Sequence, residues 1–166
     1  MRGHIKGRSL MSTSSSRMTP AYFVGTVAQL LGCQYSNKER AVFSHMQPAT
    51  FPNGFMTFFD PGWSILALHE LVANKRIFCP QTWYDNEPFA RLDEQPRYHQ
   101  LQMEAVKDSF GKTFAEQQAL VSPGEEIPMA RVVLTGMIIH FLATGERLYF
   151  RLLGSLRRSD LGRSPR

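Results

Sequence analysis

The chain has 166 residues, 43% of them apolar with twelve Phe, and a net charge of +5, far from the low-hydrophobicity balance of an intrinsically disordered protein. The charge is divided: residues 1–18 hold Arg2, Lys6, Arg8 and Arg17 without an acid, residues 151–166 hold five Arg against Asp160, and the ten Lys and Arg between them face thirteen Asp and Glu. Each end is therefore +4 and residues 19–150 are −3, so the sequence pI near 9.5 does not describe a basic folded surface, and nucleic acid is expected only as a weak partner of the tails.

In chain order, Thr19-Pro20 reads as a helix start, with Thr19 as cap and Pro20 in the first turn. Phe23, Val24, Val27, Leu30 and Leu31 make one helical stripe, stopped by Gly32. Asn53-Gly54 between Phe51-Pro52 and Phe55 suggests a hairpin turn weakened by Pro52. Asp60-Pro61 repeats the start signal, and Ile65, Leu68, Leu71 and Val72 predict a helix ending near Asn74. Residues 75–111 hold neither period for long and are expected to be irregular, with one short strand near Tyr98 to Met103. Thr113 and Glu116 have capping-box spacing for a short helix through Leu120, and Ser122-Pro123-Gly124 turns the chain.

A helix over about 128–143 opens at Pro128, is apolar nearly all round, and ends at Gly145, with Arg147 to Leu152 as a short strand. The expected architecture is α+β and mainly helical: one small globular domain over 19–152 around the 128–143 helix, with disordered basic tails over 1–18 and 153–166. The run from Val132 to Ala143 is too short for the roughly 20 residues of a membrane helix, so no membrane partner and a cytoplasmic location are expected. The acid-free, Ser- and Arg-containing start has transit-peptide composition as an alternative, and Met11 and Met18 are alternative initiation points. Cys33 and Cys79 show no ligand spacing and read as reduced, buried thiols.

Trp83-Tyr84, Phe89-Ala90, Thr113 through Gln117 with Ala119-Leu120, Pro128, Ala130 and the run Thr144-Gly145-Glu146-Arg147-Leu148 carry a resemblance, over about residues 82–150, to a group of short uncharacterised bacterial proteins. The resemblance implies no activity, cofactor or catalytic residue. In those proteins the Gly-Glu-Arg-Leu segment leads into a Gly- and Asp-rich stretch; here the sequence departs after Leu152 into a basic tail, as a truncated or frame-shifted C-terminus would.

Candidate chemistry is sparse. His69-Glu70 lacks the second histidine of H-E-x-x-H because position 73 is Ala, and reads as a polar pair at the edge of a helical stripe. Glu116 is accounted for by its capping box, and His140 reads as a neutral core histidine with one satisfied hydrogen bond. Phe51, Phe55, Phe58, Phe59 and Trp63 read as core. What remains is an acidic and aromatic loop: Trp83, Tyr84, Asp85 and Glu87, with Asp93 and Glu94 beyond, followed by His99. Binding residues favour such loops, so Trp83, Tyr84, Asp85, Glu87 and His99 are the expected binding residues. The leading expectation is a non-enzymatic domain with a protein partner, requiring neither metal nor cofactor. The alternatives are a metal-dependent hydrolase built on the same loop and His99, or weak nucleic-acid binding through the tails.

Overall fold

The computed structural model describes residues 19–73, 77 and 83–148. Both basic tails, Cys79, Asn74 and most of the expected strand at 147–152 lie outside them; Arg147 and Leu148, the described part of that segment, are not in a strand. Among the described residues the fold is α+β, with six helices and a three-stranded sheet. The elements are β1 (Ala21–Tyr22), α1 (Val24–Leu31), α2 (Asn37–His45), β2 (Phe55–Asp60), α3 (Ile65–Val72), α4 (Pro88–Arg91), β3 (Arg97–Gln102), α5 (Phe114–Gln118) and α6 (Ala130–Thr144). No helix among them is long and apolar enough to cross a membrane.

β2 is the middle strand, parallel to β1 and antiparallel to β3. Five consecutive residues, Met56 to Asp60, are buried, because both faces of the strand are covered. Side chains alternate along a strand, so Met56, Phe58 and Asp60 share one face, joined across the β2–β3 register by Leu101, His99 and Arg97. α6 lies on that face. Thr57 and Phe59 point to the other side, where Phe59 packs against Phe43, Tyr35 and Tyr98 at ring distances of 4.8, 5.8 and 5.4 Å. Phe58 and Phe59 are thus core as expected, whereas Phe51 is exposed and Phe55 and Trp63 are half-buried.

The expected central helix is α6, which packs against β2, β3, α1 and α3. It starts two residues later than predicted and ends at Gly145, whose φ of 75° is the left-handed cap the sequence implies. Gly136 is where it comes closest to the sheet: a Cβ there would meet Leu101 Cδ2, Met56 Cε and Phe58 Cε1, each at 3.0 Å. His140 is buried and shares a 2.9 Å hydrogen bond between its Nδ1 and the Tyr22 hydroxyl. Burial pushes its pKa below the ordinary value, with Glu146 opposing, in keeping with a neutral core histidine.

Two helix starts differ from expectation for one reason, the competing demand of the sheet. Thr19-Pro20 does not cap α1; the Pro20 carbonyl accepts from the Thr57 amide at 2.9 Å, and Ala21 and Tyr22 pair with Thr57 and Phe58. Proline at a strand's start loses no ladder bond, and α1 begins only after Phe23. Asp60-Pro61 does not open α3 either, since Asp60 closes β2; Ser64 is the cap, its Oγ accepting from the Ala67 amide at 3.4 Å. The Asn53-Gly54 turn leads into β2, but the partner strand is β3, so no local hairpin forms.

α4 lies in the stretch read as irregular, and α2, with a Ser36–Glu39 capping box, is an additional helix. β3 matches its prediction to within one residue, and Thr113 and Glu116 form the expected capping box of α5. Cys33 is a free thiol, half-buried rather than buried, and Glu70 is exposed.

Gly136→Val puts further carbons into a contact that already limits the approach of α6 to the sheet. A loss of about 1–3 kcal/mol is expected, read as a lower urea midpoint; an unchanged midpoint would mean that α6 does not press on the sheet there.

Candidate functional site

The expected binding residues fall into two places. Trp83, Tyr84, Asp85 and Glu87 occupy one turn leading into α4, which packs against α3. The turn is tied by the Glu87 amide donating to the Tyr84 carbonyl at 2.9 Å. Arg91 fastens it further: Nε donates to the Asp85 carbonyl at 2.8 Å and Nη2 to Asn86 Oδ1 at 3.2 Å. Pro88 sits in the first turn of α4, and Ala90, fully buried, anchors the helix. Trp83 stands above this base 70% exposed, its ring edge-on to Tyr84 at 5.3 Å and tilted to Phe89 at 6.5 Å. Phe89 and Leu92 are also exposed, at 48% and 55%. Both lie outside the expected set of binding residues.

His99 lies in β3, where Nε2 is 3.3 Å from Asp60 Oδ2 and the ring is 5.8 Å from that of Phe58. It belongs to a polar cluster at the end of the sheet that the sequence reading did not assemble. Arg131 Nη1 donates to both Asp60 oxygens, at 3.0 and 2.9 Å, and Nη2 donates to Glu94 Oε2 at 3.1 Å. Glu94 also accepts from Arg97 Nη2 at 3.1 Å. The Gly62 amide donates to Asp60 Oδ1 at 2.8 Å, and the Glu94 amide to the Gly62 carbonyl at 2.7 Å. Gly62 has a φ of 81°, and any Cβ there would collide with the Glu94 carbonyl, so only glycine lets this segment cross.

The cluster is inward-facing. The side chains of Asp60 and Arg131 are 1% and 5% exposed, while Glu94 and Arg97 form its outer edge beside an open cavity of about 440 Å³ lined by Asp93, Glu94, Gln95 and Arg97. Burial alone would raise the pKa of the Asp60 carboxyl, but His99, the Gly62 amide and the Arg131 charge together hold it below the ordinary value. Every partner of Asp60 is supplied by the protein itself, which suits it to holding elements together rather than to taking a substrate proton.

The sequence does contain a signal for this cluster: Arg131 is the one charged residue in a largely apolar helix, and a buried guanidinium requires an acid. Asp93 Oδ1 accepts from the Ser64 amide at 2.7 Å, adding an anion at the N-terminus of α3. Among the described residues no three His, Cys, Asp or Glu side chains are placed to hold a metal ion. Compared with known proteins, the chain matches no family model, no curated protein and no solved structure.

Asp60→Leu removes the buried partner of the Arg131 guanidinium and leaves it only Glu94 at the outer edge of the cluster, and a loss of about 3–5 kcal/mol is expected in chemical denaturation. Combining it with Arg131→Met removes the under-compensated buried charge, so the double variant is expected to be more stable than Asp60→Leu alone; equal or lower stability would refute the assignment. Because the folded state holds Asp60 deprotonated more strongly than the unfolded chain does, its contribution is complete above the ordinary carboxyl value of 3.8 and is lost as pH falls through the lower folded value. Acid denaturation of the native protein should show this loss, and Asp60→Leu should lack that component.

Proposed function

We propose that the protein is a non-enzymatic protein-interaction domain, with Trp83 as its anchor. The observation that carries the reading is the 70% exposure of an indole on a turn fastened from beneath by Arg91, next to the exposed Phe89 and Leu92. Water-exposed aromatic area on an ordered base is what a docking surface needs: the side chain buries much apolar surface on binding and loses little freedom, and Trp is enriched among residues that dominate binding energy. Asp85, Glu87 and Asp93 give the neighbouring sequence an acidic character, with Arg91 committed to the turn. A partner segment with an apolar residue and adjacent Lys or Arg suits it.

A metal-dependent hydrolase using the loop acids with His99 has less support, because His99 is paired with Asp60 in the sheet rather than with Asp85 or Glu87. Association of nucleic acid with the tails concerns residues outside those described.

Capture from a lysate of the source organism, treated with nuclease, tests the reading. Replacing both Trp83 and Tyr84 by Ala should weaken partner retention by about 30-fold or more, the effect of losing about 2 kcal/mol or more of binding energy. Trp83 is largely exposed, so its share of folding stability is expected to be within about 0.5 kcal/mol. Retention unchanged in the folded variant would remove this surface from the proposal.

A further inference from the structure

Residues 104–129 form a stretch in which not one side chain is buried, although it contains Phe110, Phe114 and Met129 at 50%, 64% and 55% exposure. Its single helix, α5, has five residues, far below the length at which a helix is stable without packing. Phe114, Gln118, Val121, Glu125, Glu126 and Ile127 line a cavity of about 320 Å³. The stretch holds five acids against two lysines, and this −3 equals the whole excess of acid over base in residues 19–150. Among the described residues neither Glu125 nor Glu126 is in an ion pair. A cavity lined by three apolar side chains, Phe114, Val121 and Ile127, together with two unpaired carboxylates calls for an occupant that is part apolar and part cationic.

We propose that this groove takes the chain's own Leu156-Arg157-Arg158, with Leu156 set against Phe114, Val121 and Ile127 and the two guanidiniums meeting Glu125 and Glu126. The charges are complementary, since residues 151–166 carry +4. The reach of the segment exceeds the length of α6. Ile127 lies three residues before α6 and the last described residue, Leu148, three residues past its Gly145 cap. The fifteen residues of α6 span about 22 Å at ~1.5 Å each. The eight residues from Leu148 to Leu156 reach as far as about 26–29 Å. The contact covers an apolar surface and neutralises the acidic stretch. It is made by residues distinct from the Trp83 surface and does not rest on the function proposed for it.

Tryptic cleavage of the full chain tests it, because trypsin cuts after Arg157, Arg158 and Arg163, and only the first two are engaged. At low salt, cleavage after Arg157 and Arg158 is expected to be about tenfold slower in the native chain than in Glu125→Gln/Glu126→Gln, with Arg163 cut equally in both. Leu156→Ser is expected to release the same protection without altering the groove, and added salt should erode it. Equal cleavage at Arg157 and Arg158 in the native and Gln-substituted chains would overturn the proposal. So would protection that disappears on dilution, which would place another copy's segment in the groove.

Discussion

The fold depends on a carboxylate placed where no water can reach it. Asp60 ends a strand buried on both faces, and its desolvation costs several kcal/mol unless donors surround the charge. Arg131 supplies two of them. Arg131 lies in the first turn of α6, where the helix's positive end disfavours a cation, so the two groups are each poorly placed alone and compensated together. Their pairing fixes which side of α6 faces β2. Once Arg131 points at the strand, Thr135 and Ile138 follow one and two turns on, and Gly136 lets the helix approach closely enough for the guanidinium to reach. The same carboxylate engages β3 through His99 and the Gly62 turn through its amide. Three parts of the chain that are distant in sequence, β2 with its Gly62 turn, β3 and α6, are oriented by one group.

How legible each element was follows from how local its cause is. Gly32 and Gly145 end helices by left-handed conformations that need only glycine, and Thr113 with Glu116 closes a capping box within four residues; all three were readable. β1 was not, because its two residues are extended by pairing with Thr57 and Phe58, far along the chain, against a helical stripe that seemed to begin at Phe23. Doubly buried β2 lacks the apolar-polar alternation by which a strand is recognised, so Phe55 to Phe59 read only as a cluster of aromatics. α2 carries its capping box in plain sight at Ser36 and Glu39, yet it has no buried residue and hence no stripe to draw attention to it.

The site was legible in part for the same reason. Trp83, Tyr84, Asp85 and Glu87 are neighbours in sequence and remain neighbours in space, because hydrogen bonds between residues 84 and 91 close the turn on itself. Phe89 and Leu92 complete the apolar surface, but a four-residue helix is too short to show a period. Composition alone groups His99 with the loop, whereas the β2–β3 register places it opposite Phe58 and beside Asp60. A strand residue's partners are set by pairing across the sheet, which sequence proximity does not report.

Stability and surface chemistry are consequently separated along the chain. The buried apolar residues and the Asp60 cluster come from residues 22–72 and 90–148, with none from 104–129, whose only regular structure is α5 and its capping box. A capping box contributes of order 1 kcal/mol, far less than the cost of fixing the backbone of five residues at about 1–2 kcal/mol each. The intervening stretch therefore depends on contacts beyond its own helix to be held. Because it combines exposed phenylalanines with the domain's net acid, the contact that stabilises it most is one that brings apolar surface and positive charge together. The low intrinsic stability of 104–129 and the contact proposed for it are thus two consequences of the same composition.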